Sequence, residues 1–161
     1  MQRVKPIAAT QASNRLAGWS CEAQSLQTKM PDLPTILVVD DSENDITLLQ
    51  RAFDQEGVKN DVHVCKGGAE ALDYLSHTST LPRLMLLDIN MPAMNGFEVL
   101  RRVKGHPQWR HIITVIFTTS MRPPDKARAD ELGADSFLTK PMDNDDLRMV
   151  VRHFLKEWLS E

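Results

Sequence analysis

Apolar residues are distributed along the chain as short runs separated by longer, striped segments. The runs are TILVV (35–39), VHVC (62–65), LMLL (84–87), ITVIF (113–117) and SFLT (136–139), mostly aliphatic or β-branched and bounded by turn residues. Runs of this length predict strands, and their apolar continuity predicts burial on both faces. Between them apolar residues recur at helical spacing: Ile46, Leu49 and Phe53; Ala71, Leu72 and Leu75; Phe97, Leu100 and Val103; Ala127, Ala129 and Leu132. A fifth stripe, Leu147, Val150, Val151, Phe154, Leu155 and Trp158, is the clearest. Gly57 and Gly133 stand where a left-handed residue would close the first and fourth helices, and Pro123-Pro124 suits the start of the fourth. Strand and helix alternating five times predict a doubly wound α/β domain, a five-stranded parallel sheet covered by helices on both sides. In such sheets ligands bind outside the carboxyl ends of the strands, at the switch point of the winding.

Residues 1–33 lack either period and are rich in Gln, Ala, Ser and Thr, which predicts a disordered extension ahead of a domain over residues 34–161. Met30, just before PDLPTILVV, would serve equally well as a translation start, which leaves open whether residues 1–29 are made. An organelle-targeting reading, from Arg3, Lys5 and Arg15 with no acid before Glu22, ranks third. The 161 residues, 42% hydrophobic and 25% charged, suit one soluble core. No apolar stretch is long enough to span a membrane and no secretory h-region opens the chain, so a cytoplasmic protein is expected. The net charge of −3 is uneven: residues 1–30 hold four basic and one acidic side chain, and the remainder 15 basic against 21 acidic. An acidic domain disfavours nucleic acid as a partner. Cys21 and Cys65 have neither disulfide nor zinc spacing, and Cys65 reads as a small apolar core residue.

The strand ends carry the candidate chemistry. In order they are Asp40 and Asp41, then Asp88, then Thr118 and Thr119, then Lys140 and Pro141. If the first and third ends lie side by side, three carboxylates fall within roughly 5 Å and repel by about 3 kcal/mol per ionised pair. Lys140 can neutralise one charge, and a hard divalent cation, Mg²⁺ above all, the rest. A carboxylate beside such a cation, with a hydroxyl and an ammonium aimed at the same space, is suited to accept a phosphoryl group. Each residue alone has an ordinary explanation. Asp40 and Asp41 could cap the helix starting near Asn44, and Asp88 could open a loop whose turn is made by Asn95-Gly96. Thr118 could be a plain strand residue and Lys140 a solvated charge. Trp158 could anchor the core rather than serve a partner. Coincidence at four ends of one sheet favours the functional reading of the strand ends.

The segments ILVVDDSEND, LMLLDINMPAMNGFEVL, VIFTTS and LGADSFLTKP occur in that order, with 47 residues from Asp41 to Asp88, 30 on to Thr118 and 22 on to Lys140. In these motifs the chain resembles the CheY-like receiver domains of two-component response regulators, over roughly residues 34–160. The resemblance implies strand order 2-1-3-4-5. It implies that Asp88 accepts a phosphoryl group from a histidine kinase's phosphohistidine and that Mg²⁺ or Mn²⁺ is held by Asp41, Asp40, Asp88 and the backbone carbonyl of Asn90. Lys140 and Thr118 would bind phosphoryl oxygens, Thr118 and Phe137 would form the switch, and Asn90 and Ser120 would tune phosphate lifetime. It also implies a cis bond before Pro141. FTTS and the segment between strands one and three resemble the single-domain regulators that accompany phytochrome-type kinases. Phe137 departs from the common Tyr and lacks its hydroxyl. No output domain follows the receiver pattern, so output is expected through another protein, onward phosphotransfer, or a homodimer on the helix 4/strand 5/helix 5 face.

Three rivals remain. A phosphohydrolase of the haloacid-dehalogenase type wants a second Asp two residues beyond its nucleophile, where this chain has Asn90. A flavin module wants a hydroxyl- and Gly-rich loop after strand one, where DDSEND is acidic. A phosphate-independent interaction domain needs none of the site residues that are all in place here.

Overall fold

The computed structural model describes residues 33–160, and the predicted alternation is realised in full. The elements are β1 (Ile36–Val39), α1 (Glu43–Gln55), β2 (Val62–Cys65), α2 (Gly68–His77), β3 (Leu84–Leu87), α3 (Gly96–Gly105), β4 (Ile113–Thr118), α4 (Pro123–Glu131), β5 (Ser136–Thr139) and α5 (Asn144–Phe154). The strands form one parallel sheet in the order β2-β1-β3-β4-β5. The expectation for residues 1–32 lies outside the described residues, as does Cys21.

Alternation along each strand divides the core into two layers. Ile36, Val38, Leu84, Leu86, Val115 and Phe117 pack with Ile46, Leu49 and Phe53 of α1 and Leu147, Val151 and Phe154 of α5. Leu37, Val39, Met85, Leu87 and Ile116 face Leu75 of α2, Val99, Leu100 and Val103 of α3, and Ala129 of α4. Cys65 is fully buried in this second layer, as a small core residue should be. The helix ends follow local chemistry. Ser42 caps α1 through the Asp45 N–H, Asp143 caps α5 through the Asp146 N–H, and α4 begins at Pro123. Gly57 and Gly133 adopt φ of 70° and 91° in the closing turns of α1 and α4.

Two local expectations are revised. Asn95-Gly96 is not a turn: Asn95 Oδ1 accepts the Glu98 N–H at 3.1 Å as the cap of α3, and Gly96 is its first residue. The glycine is demanded by crowding, since a Cβ there would stand 2.2 Å from the carbonyl oxygen of Asp88. The apolar stripe of the last helix does not continue as α-helix. After Phe154 the chain widens into a π-helical turn, Leu155–Leu159. The wider turn lets Leu159, five residues on from Phe154, reach the same core layer. Trp158 packs there against Phe154, with ring centroids 5.4 Å apart, and so anchors the core.

Candidate functional site

The parallel register decides which strand ends meet. Val39 of β1 pairs with Leu87 of β3, so Asp40 and Asp88 leave the sheet at the same level. Each is tied to its neighbour strand by one further ladder bond: the Asp40 N–H reaches the Cys65 carbonyl at 3.0 Å, and the Asp88 N–H the Val39 carbonyl at 3.0 Å. On the other side the Lys140 N–H donates to the Thr118 carbonyl at 2.7 Å. Backbone bonds, rather than loop conformation, therefore fix the origins of the key side chains.

Carboxylate oxygens of Asp40, Asp41 and Asp88 lie within 4.8 Å of one another. At that separation each ionised pair repels by about 3.5 kcal/mol at an effective dielectric of about 20. Lys140 offsets part of this. Its ammonium stands 2.5 Å from Asp40, 2.9 Å from Asp45 and 3.5 Å from Asp88. Lys140 and Asp40 are both nearly inaccessible, with 8% and 7% of their side chains exposed. Burial works to lower the Lys140 pKa, but hydrogen bonds to Asp40 and Asp45 and the charges of Asp40 and Asp88 outweigh it, holding the ammonium above the usual lysine value. Burial raises the Asp40 pKa, against hydrogen bonds from Lys140 and the Ser42 N–H and Lys140's charge, while the charge of Asp88 adds to the rise. The Asp88 oxygens differ. One accepts the Ile89 N–H at 2.8 Å; the other has only the 3.5 Å approach of Lys140, beyond normal hydrogen-bond length.

Among the described residues, the sequence between Ile36 and Arg152 matches the family model described as "Response regulator receiver domain". The chain belongs to that family. It is a receiver with a phosphoaccepting signalling role, and the fold agrees with that of solved receivers. It is 36% identical over 129 residues to the probable methanogenesis regulatory protein FilR2 of Methanothrix harundinacea, covering 78% of this chain and 83% of that protein. It is 32% identical over 130 residues to the response regulator Rcp1 of Synechocystis, covering 78% and 88%. The Mn²⁺-bound form of Rcp1 superposes with a TM-score of 0.72 at 31% identity, covering 79% of this chain and 95% of that one. The phosphorylated cyanobacterial phytochrome response regulator RcpA gives 0.74 at 31%, covering 79% and 94%.

Receivers generally bind Mg²⁺ or Mn²⁺, and the donor set here suits such an ion. Three hard carboxylate oxygens converge, one residue exposed and two buried, which leaves room for water on one side. The loop after β3 is folded tightly back on the end of that strand. The Gly96 N–H reaches the Ile89 carbonyl at 2.9 Å, and Ala93 takes φ of 64°, a sparsely populated value for a residue with a Cβ. Asn90 is exposed in this loop.

The remaining candidate residues lie on β4, β5 and the loop before α4. Thr118 is fully buried at the end of β4, and its hydroxyl accepts the Ser120 N–H at 3.3 Å. Ser120 Oγ donates to Asp125 in the first turn of α4 at 2.5 Å. Phe137 lies one strand farther out, paired in register with Ile116. It lines an open groove of about 420 Å³ with Met121, Arg122, Pro123, Lys126 and Thr139. The expected cis bond before Pro141 is not found: among the described residues every peptide bond is trans. The intrinsic preference of an X–Pro bond is trans by about 0.5–1 kcal/mol. The contacts of Lys140 on both its amide and its ammonium are made with the bond trans. Asp45 was absent from the sequence expectations. Its only local signal, an acid in the first turn of a helix, is that of an ordinary N-terminal charge.

Proposed function

We propose that this receiver is a switch in which Asp88 accepts a phosphoryl group from the phosphohistidine of a histidine kinase. The observation that carries the reading is the Lys140 ammonium reaching Asp40 and Asp88 beside the three converging carboxylates. Asp40, Asp41, Asp88 and the Asn90 carbonyl are the residues that would hold Mg²⁺ or Mn²⁺. When bound, such an ion neutralises clustered carboxylates and polarises a phosphoryl oxygen.

The chain's own groups do the rest. The Asp88 oxygen not engaged by Ile89 attacks phosphorus as the bond to the histidine nitrogen breaks, leaving an acyl phosphate. Lys140 turns from a carboxylate to a phosphoryl oxygen with little displacement. The Thr118 hydroxyl, which accepts the Ser120 N–H, donates its own proton to another phosphoryl oxygen. Its movement towards that oxygen would open space into which the Phe137 ring moves from the groove. Asn90 and Ser120 flank the acceptor and set access of the hydrolysing water, so slow self-dephosphorylation ends the signal.

Output is assigned to the α4–β5–α5 face. Met121 just before α4, Met142 between β5 and α5, and Met149 within α5 stand exposed, with 80%, 101% and 63% of their surface accessible. Flexible thioethers of this kind suit a protein surface, either a downstream target or a second copy of the chain. A phytochrome-type kinase is the proposed donor, because Rcp1 and RcpA are among the relatives and RcpA is named for that association. No helix among the described residues is long and apolar enough to cross a membrane. A cytoplasmic location goes with the reading, and the residues before 34 are assigned no part in it.

The test is phosphorylation with acetyl phosphate and Mg²⁺, followed by intact mass. Wild type is expected to gain one acid-stable, base-labile phosphoryl group, and Asp88→Asn none. A wild type that gains nothing, or an Asp88→Asn variant that gains as much, overturns the proposal.

A further inference from the structure

Lys140 has one more carboxylate partner than the acceptor site requires. Of the three acids around its ammonium, Asp40 and Asp88 belong to the converging group that suits a cation, and Asp45 does not. Asp45 reaches the ammonium from α1, where the Ser42 cap accepts its N–H at 3.3 Å. Its side chain is 32% exposed, so a charged contact there costs less desolvation than one to the buried Asp40.

A lysine ammonium and a divalent cation compete for the same carboxylate oxygens. The ammonium has three N–H donors. In this arrangement two serve Asp40 and Asp45, and one is left over for Asp88 or for a ligand. When Asp40 and Asp88 turn to a cation, a lysine held only by them would lose both partners at once. It would then either leave the rim or keep the acids from the ion. We propose that Asp45 is a positioning residue for Lys140, retaining the ammonium at the rim while Asp40 and Asp88 are given up to the metal. Lys140 then stays within reach of an incoming phosphoryl oxygen. The inference rests on the reading of the site given above.

A merely structural acid at the start of α1 would change stability without acting through Lys140. An acid acting through space would change cation affinity whatever stands at position 140. Mg²⁺ titration calorimetry on the full, unphosphorylated chain separates these. Asp45→Asn is expected to weaken Mg²⁺ binding on the order of fivefold, a size typical of coupling between contacting residues. In a Lys140→Met background the same substitution is expected to change it by less than about twofold. Equal losses in both backgrounds, or no loss in either, overturn the role of Asp45. A wild type that binds no Mg²⁺ overturns the wider reading of the site and this inference with it.

A second measurement does not require Lys140→Met to fold. In ¹⁵N spectra of the Mg²⁺-loaded protein, wild type is expected to show a slowly exchanging Lys140 ammonium signal, assigned by its loss in Lys140→Arg. That signal should vanish in Asp45→Asn. A signal of unchanged intensity there overturns the proposal.

Discussion

β3 and β5 are both four residues long and both run into the site, yet they are packed very differently. Leu84, Met85, Leu86 and Leu87 of β3 are buried to within 1% of completeness, between strands on either side. β5 is paired only with β4, and none of its residues is fully buried. The helices beside them repeat the contrast. α3 buries Gly96, Phe97, Val99, Leu100 and Val103, whereas α4 buries only Ala129. The firm centre holds Asp40 and Asp88 at a fixed separation, which phosphoryl chemistry demands. The loosely packed edge carries Phe137 and the start of α4, which are proposed above to move with the signal, and low local stability suits such a movement.

The largest effect is expected at the centre. Gly96→Ala drives a Cβ to 2.2 Å from the Asp88 carbonyl oxygen, with backbone rather than a yielding side chain in the way. A loss of about 4 kcal/mol is expected in urea denaturation. A loss under about 1 kcal/mol would mean that the loop over Asp88 yields easily and that the centre is not firm. Next comes a paired test of the two strands. Leu86→Ala should cost about 3 kcal/mol, and Leu138→Ala about half of that, because the first leaves a closed cavity and the second a site open to collapse. Equal losses would break the contrast.

Charge at the rim gives a smaller effect of opposite sign. Asp41→Asn removes one of three repelling carboxylates and is expected to stabilise the metal-free protein by about 1 kcal/mol, reduced from the full repulsion by the exposure of Asp41. Mg²⁺ should raise the melting temperature of the wild type and raise that of Asp41→Asn less. Absence of both shifts would show that the carboxylates do not strain the centre. The smallest effect lies on the solvent side of α3. Hydrogen bonds from Arg101 and Arg102 hold the Glu98 carboxyl down at about 2, against an ordinary value of 4.5. Its contribution is therefore present above pH 4.5 and lost as pH falls towards 2. The stability difference between wild type and Glu98→Gln should shrink across that window, and a flat difference would remove the arginine fork from the account of α3.

Much of the candidate site was legible because its residues stand where strands end. Asp40, Asp41, Asp88, Thr118 and Lys140 each follow an apolar run, and a parallel sheet brings such ends to one rim. Asp45 was not legible. It belongs to the helical period of α1, and its contact spans 95 positions to Lys140. The contact depends on how Ile46, Leu49 and Phe53 set the rotation of α1 against the sheet. The bond before Pro141 is trans, the isomer that local preference already favours by about 0.5–1 kcal/mol, and only the family resemblance pointed to cis.

By itself, then, the sequence determined the alternation of strands and helices, the parallel sheet, and which side chains stand at the strand ends. Those follow from periodicity and turn chemistry, which act over a few neighbouring residues. Tertiary structure alone decided that Asn95 caps a helix instead of making a turn and that Gly96 must lack a Cβ. It also decided that a π-helical turn carries Leu159 into the core and that a third acid holds Lys140. Each of these depends on distances between segments far apart in the chain, and such distances exist only once the layers have packed.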